Sequence, residues 1–305
     1  MLQTNYNLIV ILGPTAVGKT AIAANLAYKI NGEIISADSR QVYKNMDIGT
    51  GKDYNDYIIK KKKIPCYLID IHNPGYKYNV YEYQKDFINA YNKITRNNKI
   101  PILCGGTGLY IESVVKGYRM MQVPPDNKLR EELEKYSLNE LANILSKFKK
   151  LHNKTDIDTK KRVIRAIEIE KYHFEHKEEF LDFPKINYLL IGIKFDRQSQ
   201  RSRITKRLKQ RLNNGMIDEV KNLIKSGINP TDLIYYGLEY KYITMYILNK
   251  ISYNEMFSKL NTAIHQFAKR QMTWFRKMEK QGLKIHWIDG YTPIEEKIKI
   301  IQEKL

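Results

Sequence analysis

Residues 13–20 read Gly-Pro-Thr-Ala-Val-Gly-Lys-Thr, with the spacing G-x-x-x-x-G-K-T. These residue types at this spacing suit one task, holding a chain of phosphates. Glycines let a loop curl until successive backbone amides point inward as an anion nest. Gly13, Pro14, Thr15, Ala16, Val17 and Gly18 would form that nest. Lys19 would bring a cation to the terminal phosphates, and Thr20 a hydroxyl for Mg²⁺. A helix opening at Lys19 would add the positive end of its dipole. The loop therefore implies a di- or triphosphate ligand without saying which.

Three further groups could act beside it. Asp38, in Ser36-Ala37-Asp38-Ser39-Arg40-Gln41, lies 19 residues beyond Lys19, one strand–helix–strand unit later. A carboxylate there can hold a metal, hold a substrate hydroxyl or take a proton, or it can serve as a turn residue. Thr107 sits among Gly105, Gly106 and Gly108, where backbone can approach a ligand closely and a hydroxyl can donate to a phosphate oxygen. Between Arg197 and Arg211 stand seven basic residues and no acidic one. On a helix Arg203 and Arg207 share a face, as do Arg207 and Arg211, and arginine offers phosphate a fixed planar fork. Two smaller basic clusters follow the same logic, Lys160–Arg165 and the group Lys269, Arg270, Arg276 and Lys277. Asp70 ends a short apolar run and is a secondary Mg²⁺ candidate.

The elements that must position these groups are legible as an α/β pattern. Leu8–Leu12 is a continuous apolar run, as a strand buried on both faces requires. A helix over 19–30 follows, then strands at 33–37, 65–71 and 100–104, with a helix over 80–95 between the last two. Such alternation implies a parallel sheet flanked by helices, whose ligands bind at the carboxyl ends of the strands. Residues 119–184 change character: they are charged, with narrow leucine stripes, and read as a helical insertion. Asn187–Phe195 restores a buried strand, and helices are expected over 198–213, 216–226, 240–248 and 254–281. The expected organisation is one P-loop-like core, 1–118 with 185–305, interrupted by an insertion at 119–184. The Lys60–Lys63 run reads as a solvated loop.

Composition narrows the class further. With 52 Lys and Arg against 33 Asp and Glu, the chain carries +19, which favours polyanionic partners. Lysine supplies 39 of those cations and arginine 13. The abundance of Lys, Asn, Ile and Tyr is also what an AT-rich genome imposes, so clustering counts for more than the total. Cys66 and Cys104 sit in apolar runs and read as buried small hydrophobes. No apolar run reaches membrane-spanning length and none resembles a signal peptide, so a cytoplasmic enzyme or binding protein is expected; a monomer is expected as well.

Together these segments resemble the tRNA dimethylallyltransferases, also called tRNA isopentenyltransferases, in the bacterial form. The resemblance rests on GPTAVGKT (13–20), IISADSRQVYKNMDIGT (34–50), PILCGGTGLYI (101–111), KRVIRAIE (161–168), the 203–220 segment, YGLEYKYI (236–243) and AKRQMTWFR (268–276). It implies transfer of a dimethylallyl group from dimethylallyl diphosphate to the adenosine immediately 3′ of the anticodon in tRNA. The phosphate loop would hold the donor's diphosphate rather than ATP, with Mg²⁺ on Thr20. By the same resemblance Asp38 is the general base, and Lys19, Arg207, Arg203 and Thr107 stabilise the leaving diphosphate. Asp38, Ser39, Arg40, Gln41 and Thr107, with Lys161, Arg162, Val163, Ile164 and Arg165 in the insertion, match tRNA-contacting stretches, and Arg130 aligns with another. Val17 stands where the family more often has Ser, and Gly51-Lys52-Asp53 where Ala-Lys-Pro is usual. On the residues alone, a P-loop kinase using ATP on a small acceptor, or a nucleic-acid-binding NTPase, would employ the same loop and the same Asp38.

Overall fold

The computed structural model describes residues 5–149, 157–176 and 182–305. Two stretches of the expected insertion, 150–156 and 177–181, lie outside the described residues. The chain forms two compact units, Met1–Tyr118 with Pro184–Leu305, and Arg119–Phe183.

The first unit begins with β1 (Leu8–Leu12), α1 (Lys19–Ile30) and β2 (Gly32–Ala37). A two-residue hairpin follows, β3 (Ile58–Ile59) and β4 (Lys62–Lys63), then β5 (Cys66–Tyr67), α2 (Val80–Arg96), β6 (Ile100–Gly105) and α3 (Gly108–Val115). The second unit holds α4 (Asn127–Leu133), α5 (Leu138–Phe148) and α6 (Lys160–Glu175). The chain then returns to the first unit through β7 (Tyr188–Lys194), α7 (Arg197–Asn213), α8 (Met216–Lys225), α9 (Pro230–Tyr235) and α10 (Leu238–Ile247). It ends with α11 (Tyr253–Lys280), β8 (Ile285–Asp289) and α12 (Ile294–Gln302). Among the described residues no helix is long and apolar enough to cross a membrane.

Six strands form one parallel sheet in the order β5-β2-β6-β1-β7-β8. All five residues of β1, at its centre, are fully buried, which is why that strand reads as an unbroken apolar run. Register fixes the working edge. Leu12 pairs with Gly105 and Gly105 with Ala37, so β1, β6 and β2 end at one level. The loops that follow them, carrying residues 13–18, 106–107 and 38–41, therefore leave the sheet side by side.

Two expectations needed correction. The strand expected over 65–71 pairs only at Cys66–Tyr67, because Leu68 and Asp70 take left-handed backbone (φ 63° and 57°), which breaks the ladder. The Lys60–Lys63 run is not a plain loop. Lys60 and Lys61, both left-handed, turn the β3–β4 hairpin, and their side chains remain in solvent. Cys104 is buried and Cys66 half-buried, both as free thiols, and burial pushes the Cys104 thiol up to about 12. In the second unit Leu133, Leu141, Leu145, Val163, Ile164 and Ile167 make a separate small core.

Candidate active site

The loop after β1 is shaped by close approach to the neighbouring strand. Gly13 has φ +152°, and a Cβ there would lie 2.5 Å from the Ile193 carbonyl oxygen of β7. Gly18, with φ 79°, caps α1, so the helix opens at Lys19 with its first amides toward the cavity. The Lys19 ammonium donates to the Pro14 carbonyl at 2.8 Å and curls across its own loop. Burial, reinforced by Arg207, lowers the Lys19 pKa to about 8, with Cys104 and Asp38 pulling the other way.

Asp38, Thr107 and the phosphate loop are knitted into one wall. Asp38 accepts the Arg40 amide at 2.9 Å, so it is a turn residue and a cavity residue at once. Thr107 accepts the Ser39 amide at 3.1 Å and donates its own amide to Ala37 at 3.1 Å. Gln271 of α11 joins the two glycine-rich loops. Its side-chain oxygen accepts the Thr15 amide at 2.9 Å, and its side-chain nitrogen donates to the Gly106 carbonyl at 2.9 Å.

The 47–53 loop closes another side. Glu219, in the first turn of α8, accepts the amides of Asp47, Ile48 and Gly49 at 2.8, 2.6 and 3.0 Å, and the Tyr240 hydroxyl at 2.7 Å. Gln41 adds a bond from its side-chain amide to the Gly51 carbonyl at 3.1 Å. The arginines of α7 approach over this loop. Arg203 donates to the Ala16 carbonyl at 3.0 Å and lies 4.3 Å above the Phe195 ring. Arg207 pairs with Asp53 at 2.6 Å. Arg211 packs over Gly51 so closely that a Cβ there would meet its guanidinium. Burial and the like charge of Arg207 lower the Arg211 pKa to about 10, and burial raises that of nearby Glu239.

The result is a cavity of about 620 Å³ lined by Lys19, Thr20, Asp38, Thr107 and the three arginines, with Arg40 and Gln41. The structure thus brings together the residues 15–20, 38–41, 107, 203 and 207 singled out in the sequence. The remaining basic residues of α7 divide by helical face: Arg201, Lys206 and Lys209 line a separate shallow groove with Asn261 and His265 of α11. Asp70, the secondary Mg²⁺ candidate, does not line the cavity; it accepts from Lys52 and Tyr54.

In the second unit the expected RNA-contacting residues separate. Lys161 and Arg162 are exposed, and Arg162 pairs with Asp158 at 3.0 Å. Val163 and Ile164 are a correction: both side chains are buried in the core of this unit and offer no surface to RNA. Arg130 grips Glu168 through two bonds of 2.9 and 2.8 Å, and Arg165 binds the same carboxylate. Burial would raise the Glu168 pKa, yet these arginines hold it below the ordinary value. Sequence reasoning missed the bridging role of Gln271, although it lies within the AKRQMTWFR segment, and the Glu219 cap. Neither has a local signature, because each acts on backbone amides far away in sequence.

The fold and cavity define a class: a P-loop-like α/β enzyme whose glycine-rich loop faces a cavity lined also by a carboxylate and an arginine-bearing helix. Comparison then identifies the family. The sequence profile of a family described as IPP transferase matches residues 41–278. A protein named tRNA dimethylallyltransferase 2, from Bacteroides fragilis (strain YCH46), is 59% identical over 305 residues, covering 100% of this chain and 99% of that protein. The crystal structure of a tRNA isopentenylpyrophosphate transferase from Bacillus halodurans is similar at a TM-score of 0.71 and 32% identity, over 98% of this chain and 95% of that one. A eukaryotic dimethylallyltransferase acting on tRNA shares the fold at a TM-score of 0.74 and 23% identity, over 93% of this chain and 73% of that one. The chain belongs to the IPP transferase family.

Proposed function

We propose that this chain transfers the dimethylallyl group of dimethylallyl diphosphate to the exocyclic amine of the adenosine immediately 3′ of the anticodon in tRNA. The observation that carries the reading is the single cavity lined together by Lys19, the α7 arginines and Asp38; in this reading the cations serve the diphosphate and the carboxylate serves the adenine. Family membership favours it over an ATP-dependent kinase.

The chemistry follows from that division. The adenine leaves its stack to enter the cavity, as base-modifying enzymes require. Its amine nitrogen bonds to the first carbon of the dimethylallyl group while the bond from that carbon to the diphosphate oxygen breaks. Asp38 accepts the amine proton. Lys19, Arg203, Arg207 and the Thr107 hydroxyl stabilise the charge that grows on the departing diphosphate. Thr20 fits a Mg²⁺ ion, because its hydroxyl lines the cavity beside the phosphate loop and hard oxygen donors are what that ion prefers. When bound, Mg²⁺ neutralises diphosphate charge. Arg40, Gln41, Ser39, Lys161, Arg162, Arg130 and Arg165 contact the tRNA in this reading. In this reading the protein acts on tRNA as a monomer in the cytoplasm.

The test supplies unmodified tRNA and labelled dimethylallyl diphosphate without ATP. Label enters the tRNA with wild-type protein. Asp38→Asn keeps tRNA affinity and loses transfer by about 10²- to 10⁴-fold, the range for a general base. Wild-type turnover by Asp38→Asn, or a requirement for ATP, overturns the reading.

A further inference from the structure

Tyr235 ends α9 at the rim of the cavity, and 46% of it is exposed, more than any aromatic residue lining the interior needs. Its backbone is fixed by its neighbour. Tyr236 is buried, its hydroxyl accepts the Gly75 amide at 2.6 Å and donates to the Tyr76 carbonyl at 3.1 Å, and its ring meets Tyr43 edge-on at 4.5 Å. Tyr235 itself stands edge-on to Tyr236, with centroids 5.6 Å apart and planes at 80°. Two cations lie over the exposed ring: the Arg40 guanidinium at 5.6 Å and the Lys77 ammonium at 5.9 Å from its centroid. Both come from tethered segments. Arg40 follows the Asp38–Ser39 turn, and Lys77 follows Tyr76, which Tyr236 holds.

An exposed ring on a tethered backbone with two cations over it is an arrangement that suits unpaired nucleic acid: a base takes the cations' place on the ring, and the cations move to the phosphates. It suits a five-carbon prenyl chain poorly, since an open rim excludes no water and the cations gain nothing from a hydrocarbon. We infer that Tyr235 is a stacking platform for the tRNA base adjoining the target adenosine, with Arg40 and Lys77 on the flanking phosphates. The inference rests on the proposed function for the identity of the RNA. The adenine amine must reach Asp38 inside the cavity, which leaves the rim to the next nucleotide.

The probe is an unmodified anticodon stem-loop RNA, with affinity read by fluorescence anisotropy and transfer read separately. Tyr235→Ala should weaken RNA binding by about 5- to 150-fold, the span of one base–aromatic stack, while KM for dimethylallyl diphosphate stays at the wild-type value. Tyr235→Phe should bind as wild type. An RNA made abasic on one side of the target adenosine should bind wild type and Tyr235→Ala equally, because the base that stacks is gone. Unchanged affinity in Tyr235→Ala overturns the inference. So does a raised KM for dimethylallyl diphosphate in place of weakened RNA binding, or a difference that persists with either neighbour abasic. Affinity is measured whether or not transfer occurs, so a wild-type protein that binds the RNA without modifying it refutes the proposed function and leaves the stacking result standing on its own.

Discussion

Gln271 offers the sharpest test of how the cavity is held in shape. It carries one bond to each glycine-rich loop, 2.9 Å from the Thr15 amide and 2.9 Å to the Gly106 carbonyl, and it is only 7% exposed. Gln271→Met keeps the volume and deletes both bonds. The Gly106 carbonyl is then left buried and unpaired, costing about 1–3 kcal/mol, and the half-buried Thr15 amide adds less, so the variant should lose about 1–4 kcal/mol of stability. Urea unfolding reads that as a lower midpoint at unchanged slope. The same loops carry Lys19 and Thr107, and misplacing a reacting group by about 1 Å costs about 10²-fold in rate, so transfer should fall by about that factor even where the variant is folded. Gln271→Glu separates the two bonds. One oxygen still accepts the Thr15 amide, while the other opposes the Gly106 carbonyl, and the new negative charge faces the diphosphate. It should therefore raise KM for dimethylallyl diphosphate more than Gln271→Met does. Wild-type unfolding midpoints and wild-type transfer in both variants would refute the bridging role.

The other predictions concern charge. Lys19 has a pKa lowered to about 8, so the free protein keeps its cation below that pH and loses it above; kcat/KM for dimethylallyl diphosphate should be flat below about pH 8 and fall about tenfold per pH unit beyond it. The unfolded chain binds that proton up to the ordinary lysine value of 10.5, so stability relative to Lys19→Met should rise with pH between the two values, which paired thermal melts check. Glu219→Gln keeps the shape but weakens charge-assisted bonds to three amides and a hydroxyl; it should lower stability by about 1–3 kcal/mol and raise proteolytic cleavage within 47–53. Glu168→Gln leaves the half-exposed Arg130 and Arg165 without their buried carboxylate; the second unit should lose about 1–3 kcal/mol, read as early amide exchange confined to Arg119–Phe183.

The parts of this molecule that could be read from sequence are those whose signal is local. The phosphate loop and the strands of the central sheet declare themselves through glycine spacing and unbroken apolar runs, and α1 and α2 fall within a residue of where periodicity puts them. Where the signal is non-local the reading fails. β5 looked seven residues long because the 65–71 segment is apolar, yet left-handed backbone at Leu68 and Asp70 ends the pairing. β8 is hidden because it is short and His286 and Asp289 interrupt it, and α12 because Glu295, Glu296, Lys297 and Lys299 do, although Ile285, Ile288, Ile298 and Ile301 are all buried. Val163 and Ile164 looked like part of a basic RNA-binding run, but helical geometry turns them inward while Lys161 and Arg162 stay outside. Linear adjacency to cations is no guide to which residues share their face.

The charge of +19 can now be weighed by where it falls. Of 13 arginines, five line the cavity: Arg40, Arg203, Arg207, Arg211 and Arg270. Of the 36 lysines among the described residues, two do: Lys19 and Lys241. A compositional drift toward lysine would scatter both types alike over the surface, so an arginine share of 5 in 13 against a lysine share of 2 in 36 among the described residues marks placement rather than background. The physical reason is the ligand. Arginine keeps its charge when half-buried, as Arg211 does with a pKa still near 10, whereas Lys19 in the same cavity drops to about 8. For the proposed transfer, a site that must stay cationic around a departing diphosphate is served by arginine as standing charge. Lysine appears in the phosphate loop itself, where the curled side chain released from Pro14 can follow the terminal phosphate.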